Sequence, residues 1–329
     1  NLTVIATDGV HTETFDQLQA IYVDANGIAH TENVTLAWTA DSAGGGTLLG
    51  TMNTVDGVKD VFTLTTDKFG HYDFSLSAPL SHPFTADPNA EGSTEFEDNL
   101  NLQFTYSVTD GDGDQADAHL TINVDDDVPT ATDTSGTFVD DVFTPFVVND
   151  EDATLNTGFT GNPGGIGDVP GATDTVSGTL NFASGADGIG DLTFASLDNT
   201  AAPFKAIYAS GIEGVQETVT YHWDESTHTL TAVGDTSDNT VFTLTIDDLS
   251  TGHFTFELGS PLAQSPGGNE NNISLVLPFT ITDGDGDQAT ANLTIEVNDD
   301  TPTLSLTPTS RSEARRVGTA CRSRWSPYH

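Results

Sequence analysis

Cysteine, lysine and arginine are almost missing from this 329-residue chain, and each absence removes a class of chemistry. The one cysteine, Cys321, and five of the eight Lys and Arg residues fall within residues 311–329. Before residue 311 there is no thiol, so neither a disulfide framework nor thiol catalysis is available. Stability has to come from apolar cores or bound ions. So few basic side chains exclude nucleic acid as a partner, because phosphate contacts need Lys and Arg. No apolar run reaches the roughly eighteen residues of a spanning helix, so no membrane insertion is expected. What is abundant is acid: 50 Asp and Glu, and a net charge of −42. A compact chain so charged repels itself, and cations relieve that repulsion.

The heptapeptide Asp-Gly-Asp-Gly-Asp-Gln-Ala occurs twice, at 110–116 and at 283–289. A period of 173 residues signals duplication of a whole domain. The repeat extends outward. Leu100, Leu102, Phe104, Tyr106 and Val108 match Ile273, Leu275, Leu277, Phe279 and Ile281 at the same offset. Val-Phe-Thr-Leu-Thr at 61–65 recurs at 241–245, Trp38 pairs with Trp223, and Leu2 with Leu192. The offset changes in steps, which places insertions in loops, where they cost little. The second copy carries extra residues, 176–191, ahead of Leu192. The chain is therefore expected to open inside a domain whose first sheet lacks an edge strand. Five segments are expected: a first repeat (1–127), an acidic Gly/Pro-rich junction and start of the second repeat (128–174), a second repeat (175–300), the start of a third (301–310) and a tail (311–329). The tail, RSEARRVGTACRSRWSPYH, breaks the composition abruptly and resembles translated read-through of a sequencing adapter.

Short runs rich in Thr, Val, Ile and Phe alternate with Gly, Asp, Asn and Pro clusters, and no sustained 3.6-residue apolar period appears. The expected fold is all-β: tandem Ig/cadherin-like antiparallel β-sandwich repeats. Trp38 and Trp223 are expected in the sandwich cores rather than in sugar sites. Pro278 interrupts a good strand, which predicts an edge position or a bulge. Residues 143–148 are expected to pair as a strand at the front of the second domain, and 162–171 to form a loop.

The acidic turns carry the chemistry. In Asp110-Gly111-Asp112-Gly113-Asp114 the glycines permit tight curvature, so three hard oxygen donors can converge on one point. The EF-hand pattern then fails, because Gln115 stands where Gly is needed and Thr121 where Glu is needed; Gln288 and Thr294 repeat the failure. A strand–loop–strand calcium site remains, at Asp110, Asp112 and Asp114 and at Asp283, Asp285 and Asp287. The alternative is a solvated hairpin turn. A second acidic group ends each repeat: Asp126 and Asp127, and Asp299 and Asp300, each set followed by Pro. It resembles the cadherin linker, which implies calcium at the junction, with Asp150, Glu151 and Asp152 as ligands from the following domain. The alternative there is an acidic, solvated linker.

Val-Ser-Gly-Thr-Leu at 176–180, Gly-Ala-Asp-Gly at 185–188, Val-Phe-Thr-Leu-Thr, Thr-Asp-Gly-Asp-Gly-Asp and Val-x-Asp-Asp-x-Pro together resemble the type I secretion target repeats of giant bacterial RTX-type adhesins, similar in style to VCBS and cadherin-like extender modules. The resemblance covers nearly all of residues 1–306. It implies a non-catalytic Ca²⁺-binding extender repeat, exported to the cell surface or medium and serving adhesion or biofilm formation. Its partners are then neighbouring repeats of the same chain, and a host or biofilm surface ligand. The tandem glycine-rich nonapeptide of RTX β-rolls is absent, so calcium rests on the Asp-Gly turns. The alternative is a carbohydrate- or ligand-binding adhesin module. No enzyme is expected. The histidines are scattered, no His-x-x-x-His pair has a nearby Glu, and no Gly-x-Ser-x-Gly elbow appears. The same acids recur in both copies, where an enzyme needs one site.

Overall fold

The computed structural model describes residues 2–7, 12–82, 99–139, 142–149, 173–210, 213–264 and 272–299. The Asp150–Asp152 acids, the 162–171 segment, Asp300, the third-repeat start and the tail lie outside them. The first repeat contains β1 (Leu2–Thr7), β2 (Thr12–Phe15), β3 (Gln19–Val23), β4 (Ala29–Asn33), β5 (Thr35–Ala40), β6 (Gly46–Thr54), β7 (Gly57–Thr66), β8 (Tyr72–Leu76), β9 (Asn99–Thr109) and β10 (Gln115–Val124). A connecting segment follows, with β11 (Thr130–Thr132), β12 (Gly136–Val139), β13 (Val142–Pro145) and β14 (Val147–Asn149). The second repeat adds β15 (Thr175–Thr179), β16 (Asn181–Ala183), β17 (Ile189–Thr193), β18 (Ala201–Ser210), β19 (Glu213–Asp224), β20 (Thr229–Gly234), β21 (Thr240–Asp248), β22 (His253–Leu258), β23 (Ile273–Asp283) and β24 (Gln288–Asn298). A single 3-10 turn, Ala195–Leu197, is the one helical element among the described residues.

Period-2 patterning makes the sandwiches. On β23, Leu275, Leu277, Phe279 and Ile281 point inward and are buried, while intervening residues face outward. They share one core with Leu230 and Ala232 of β20, Leu244 of β21, and Phe254 and Phe256 of β22. Burying each such side chain contributes about 1.5–3 kcal/mol. The facing sheets are ordered β14-β24-β23-β17 and β15-β22-β21-β20-β19-β18. In the first repeat the sheets are β10-β9-β1-β2 and β5-β6-β7-β8, with the β3-β4 hairpin apart, around a smaller core of Leu100, Leu102, Phe104, Phe62 and Met52.

The strands ahead of β17 account for the difference between the copies. β14 runs parallel to β24, β15 pairs with β22, and Phe146 packs edge-on against Phe254 at 5.2 Å. The 143–148 region thus divides: β13 pairs with β12, and only β14 joins the second sandwich. In the first repeat, β8 and β10 have no such neighbour among the described residues. Tyr72 is 55% exposed where its counterpart Phe254 is fully buried.

Two sequence expectations are corrected. Trp38 is 53% exposed and not a core residue. It lies on β5, all of whose residues face solvent, with its ring over Gly46. Trp223 does pack against the second core, beside Phe194, and its Nε1 donates to Glu225. Among the described residues, Trp38 has no aromatic neighbour of that kind. Pro278 is neither on an edge strand nor at a bulge. It lies on an inner strand opposite Asn292, whose N–H and C=O turn away to Asp133 and Thr134. On the other side, β17 pairs only as far as Thr280, so no ladder needs the missing donor.

Candidate metal centre at the repeat junction

Both heptapeptides fold into the same turn. Asp110 Oδ1 accepts the backbone N–H groups of Asp112, Gly113 and Asp114 at 3.2, 3.0 and 2.9 Å. Asp283 Oδ1 accepts those of Gly286 and Asp287 at 3.1 and 2.9 Å. Gly113 and Gly286 have φ of 103° and 122°, which L side chains rarely adopt. In each turn the three carboxylates approach within ligand-sharing distance.

The surroundings differ sharply. Asp110, Asp112 and Asp114 are exposed, whereas Asp283 and Asp287 are buried and the buried side chain of Asp285 lies against His82 of the first repeat. The β3-β4 hairpin sits on the loops that carry them. Ile28 bridges Ile189, and Gly188 and Gly284 leave no room for a Cβ, which would meet Val23 at 2.5 Å and Ala29 at 2.8 Å. Gly111, the counterpart of Gly284, faces open space.

This packing merges two acidic groups that are separate in sequence. Asp285 lies with Asp126, Asp187 and His82, one ligand atom of each within 4.8 Å of the others. The His82 N–H donates to Asp285 Oδ2 at 2.9 Å; its Nδ1 is 3.0 Å from Asp126 Oδ1 and 3.6 Å from Asp285 Oδ2. Neither ring nitrogen is aligned for a hydrogen bond. Oδ2 of Asp187, Oδ2 of Asp283 and Oδ1 of Asp285 are also buried without hydrogen-bond partners. Each such orphan costs about 1–3 kcal/mol, more when charged.

Electrostatics follow the burial. Burial first, then the charges of Asp285 and Asp126, push Asp187 up to about 8. Burial and Asp285 raise Asp283 to about 7. Burial alone lowers the pKa of His82, but contacts with Asp126 and Asp285 outweigh it and carry the imidazole to about 10. Asp110, the solvated counterpart of Asp283, shifts the other way: hydrogen bonding with Asp112, then the Asp114 N–H, lowers it. One heptapeptide thus has two electrostatic characters, set by what lies above it.

The remaining expected ligands fall differently. Asp127 is not in the cluster; its Oδ2 accepts the Ala186 N–H at 2.6 Å and so fixes the Gly185–Gly188 loop that presents Asp187. Asp299 also joins no cluster among the described residues, and its N–H donates to Asn272. His82 and Asp187 were not read as ligands from sequence. His82 has no local motif, while Asp187 sits in the Gly-Ala-Asp-Gly run noticed for another reason. A further group, Asp191, Glu225 and His228, is partly exposed; burial, then Glu225, raises Asp191.

Residues 4–123, about a third of the chain and most of the first repeat, match a family described as a domain of unknown function (DUF5801). The chain matches no curated protein and no solved structure.

Proposed function

We propose that the chain is a non-catalytic spacer whose two sandwiches are clamped together by Ca²⁺ at their junction. One observation carries this reading: five carboxylates, from Asp126 of the first repeat and Asp187, Asp283, Asp285 and Asp287 of the second, are buried together between repeats. Buried like charges are strongly unfavourable without a cation. All five supply hard oxygen donors, and the orphaned oxygens are the groups a Ca²⁺ ion with its six to eight oxygen ligands needs. Bound at the Asp283, Asp285 and Asp287 turn, the ion neutralises the charge that Asp126 of the first repeat otherwise faces, so the two repeats stay packed and bending is limited. A calcium-stiffened spacer suits an extracellular or cell-surface adhesin, its immediate partners being neighbouring repeats. Exposed aromatics favour a carbohydrate-binding alternative in the first repeat, at Trp38 and Tyr72, but their counterparts Trp223 and Phe254 are packed in the second.

A thermal melt of the chain in EGTA and across a millimolar Ca²⁺ series tests this, with Mg²⁺ as control. Extracellular calcium modules bind at roughly 10⁻⁴–10⁻³ M. At about 100 times its Kd the ion adds roughly 2.7 kcal/mol. The same rise with Mg²⁺ reduces the acids to general charge screening and removes the clamp.

A further inference from the structure

The junction acids do not form one ligand set. Asp283, Asp285 and Asp287 form one; His82, Asp126, Asp187 and Asp285 form another; only Asp285 belongs to both. We infer that the second set is a distinct metal position, for a borderline first-row divalent ion of the Zn²⁺ class, joined to the calcium position by a bridging Asp285 carboxylate. The inference rests on reading the junction as a cation site and adds a second ion of different chemistry.

Three observations support it. First, charge: a single divalent ion leaves more of the five buried carboxylates unneutralised than it neutralises, and two ions bring the site close to balance. Second, donor type: the second set contains an imidazole nitrogen, which suits Zn²⁺ and its neighbours, whereas Ca²⁺ takes oxygen. Third, geometry: Nδ1 stands 3.0 and 3.6 Å from two carboxylate oxygens without hydrogen-bond alignment. Ligands about 2.0–2.2 Å from a tetrahedral Zn²⁺ are separated by roughly such distances. Asp187 and His82 are both 5% exposed or less, so the set is enclosed.

The repeat supplies its own control. Leu80 and Leu262 make the same bridge, to Ala20 and Ala206, so His82 and Gln264 are structural counterparts. The nitrogen donor therefore belongs to this junction, and Gln is an accepted side chain at that position. His82→Gln keeps the backbone N–H that meets Asp285 and removes the imidazole alone.

The experiment uses the full chain with Cys321→Ser, so that the tail thiol takes no metal. Zn²⁺ is titrated calorimetrically with Ca²⁺ saturating, and Co²⁺ is titrated as a visible-absorption probe. The expected result is one Zn²⁺ equivalent bound beside Ca²⁺ and a Co²⁺ spectrum of mixed nitrogen and oxygen ligation. His82→Gln weakens that equivalent by more than about 10-fold, the loss already typical of a mere outer-shell partner, and leaves the Ca²⁺-induced rise in melting temperature in place. Zn²⁺ binding indifferent to His82→Gln, or Zn²⁺ displacing Ca²⁺ one for one, overturns the second position while the calcium clamp stands. A His82-dependent Zn²⁺ equivalent with no Ca²⁺ response sinks the calcium reading and leaves this position intact.

Discussion

Asp285→Asn abolishes most of the calcium-dependent stabilisation, whereas Asp112→Asn, the same change in the same heptapeptide, leaves it nearly intact. The sequence alone treats these positions as equivalent. The structure makes Asp285 the residue common to both junction ligand sets, with its side chain 1% exposed, and leaves Asp112 in solvent. Losing the shared carboxylate removes a donor from each set, so most of the roughly 2.7 kcal/mol expected at about 100 times Kd disappears. Asp112 has no acid from another repeat beside it among the described residues. Its replacement belongs with surface changes, which usually alter stability within about 0.5 kcal/mol. Paired melts in EGTA and in Ca²⁺ provide the check. Equal losses in the two variants contradict the junction site and restore two independent hairpin sites.

Without divalent ions the chain loses stability as pH rises from about 4 to about 10, and added Ca²⁺ restores more stability the higher the pH. The signs follow from the shifts. Asp187, at about 8, and Asp283, at about 7, hold protons in the folded chain that the unfolded chain releases near 4. The folded state therefore binds more protons across that window, and its stability falls as pH rises through it. His82, raised to about 10, contributes stability that is complete below its unfolded pKa near 6.5 and lost as pH rises through 10. All three act in one direction. The exposed acids with lowered values, such as Asp67 and Asp110, act below pH 4 and in the opposite sense. Calcium requires ionised carboxylates, so its increment is small at pH 5 and large at pH 9. Melts at pH 5, 7 and 9 with and without Ca²⁺ measure it, and Asp187→Asn separates the junction from general charge repulsion by flattening the ion-free slope. A calcium increment that is flat with pH refutes buried, proton-holding ligands.

Much of the architecture was legible because β-structure writes a local code. The alternation through Leu100–Val108 and Ile273–Ile281 gave paired strands, and the shared heptapeptide located a turn in each copy. What escaped was set by packing between distant segments. Trp38 and Trp223 occupy matching positions, yet only the second has Phe194 beside it. Pro278 reads as an edge or bulge residue, and only the end of β17 at Thr280 spares it both. Four of the six residues of the candidate site were readable, since Asp126, Asp283, Asp285 and Asp287 stand in conspicuous acidic runs. His82 comes from a loop 203 residues from Asp285, and no periodicity or spacing relates them. The acids at 126 and 283–287 are likewise far apart in sequence and converge only because the β3-β4 hairpin packs on the loops of the second repeat.

The measurement closest to the central claim is the spread of distances between the repeats with and without calcium. Spin labels at Val55→Cys and Thr227→Cys, both exposed turn positions in different repeats, report it in a Cys321→Ser background. The calcium clamp predicts a broad distance distribution in EGTA that narrows to a single population in millimolar Ca²⁺, and stays broad in Asp285→Asn. A distribution of the same width in EGTA and in Ca²⁺ contradicts it.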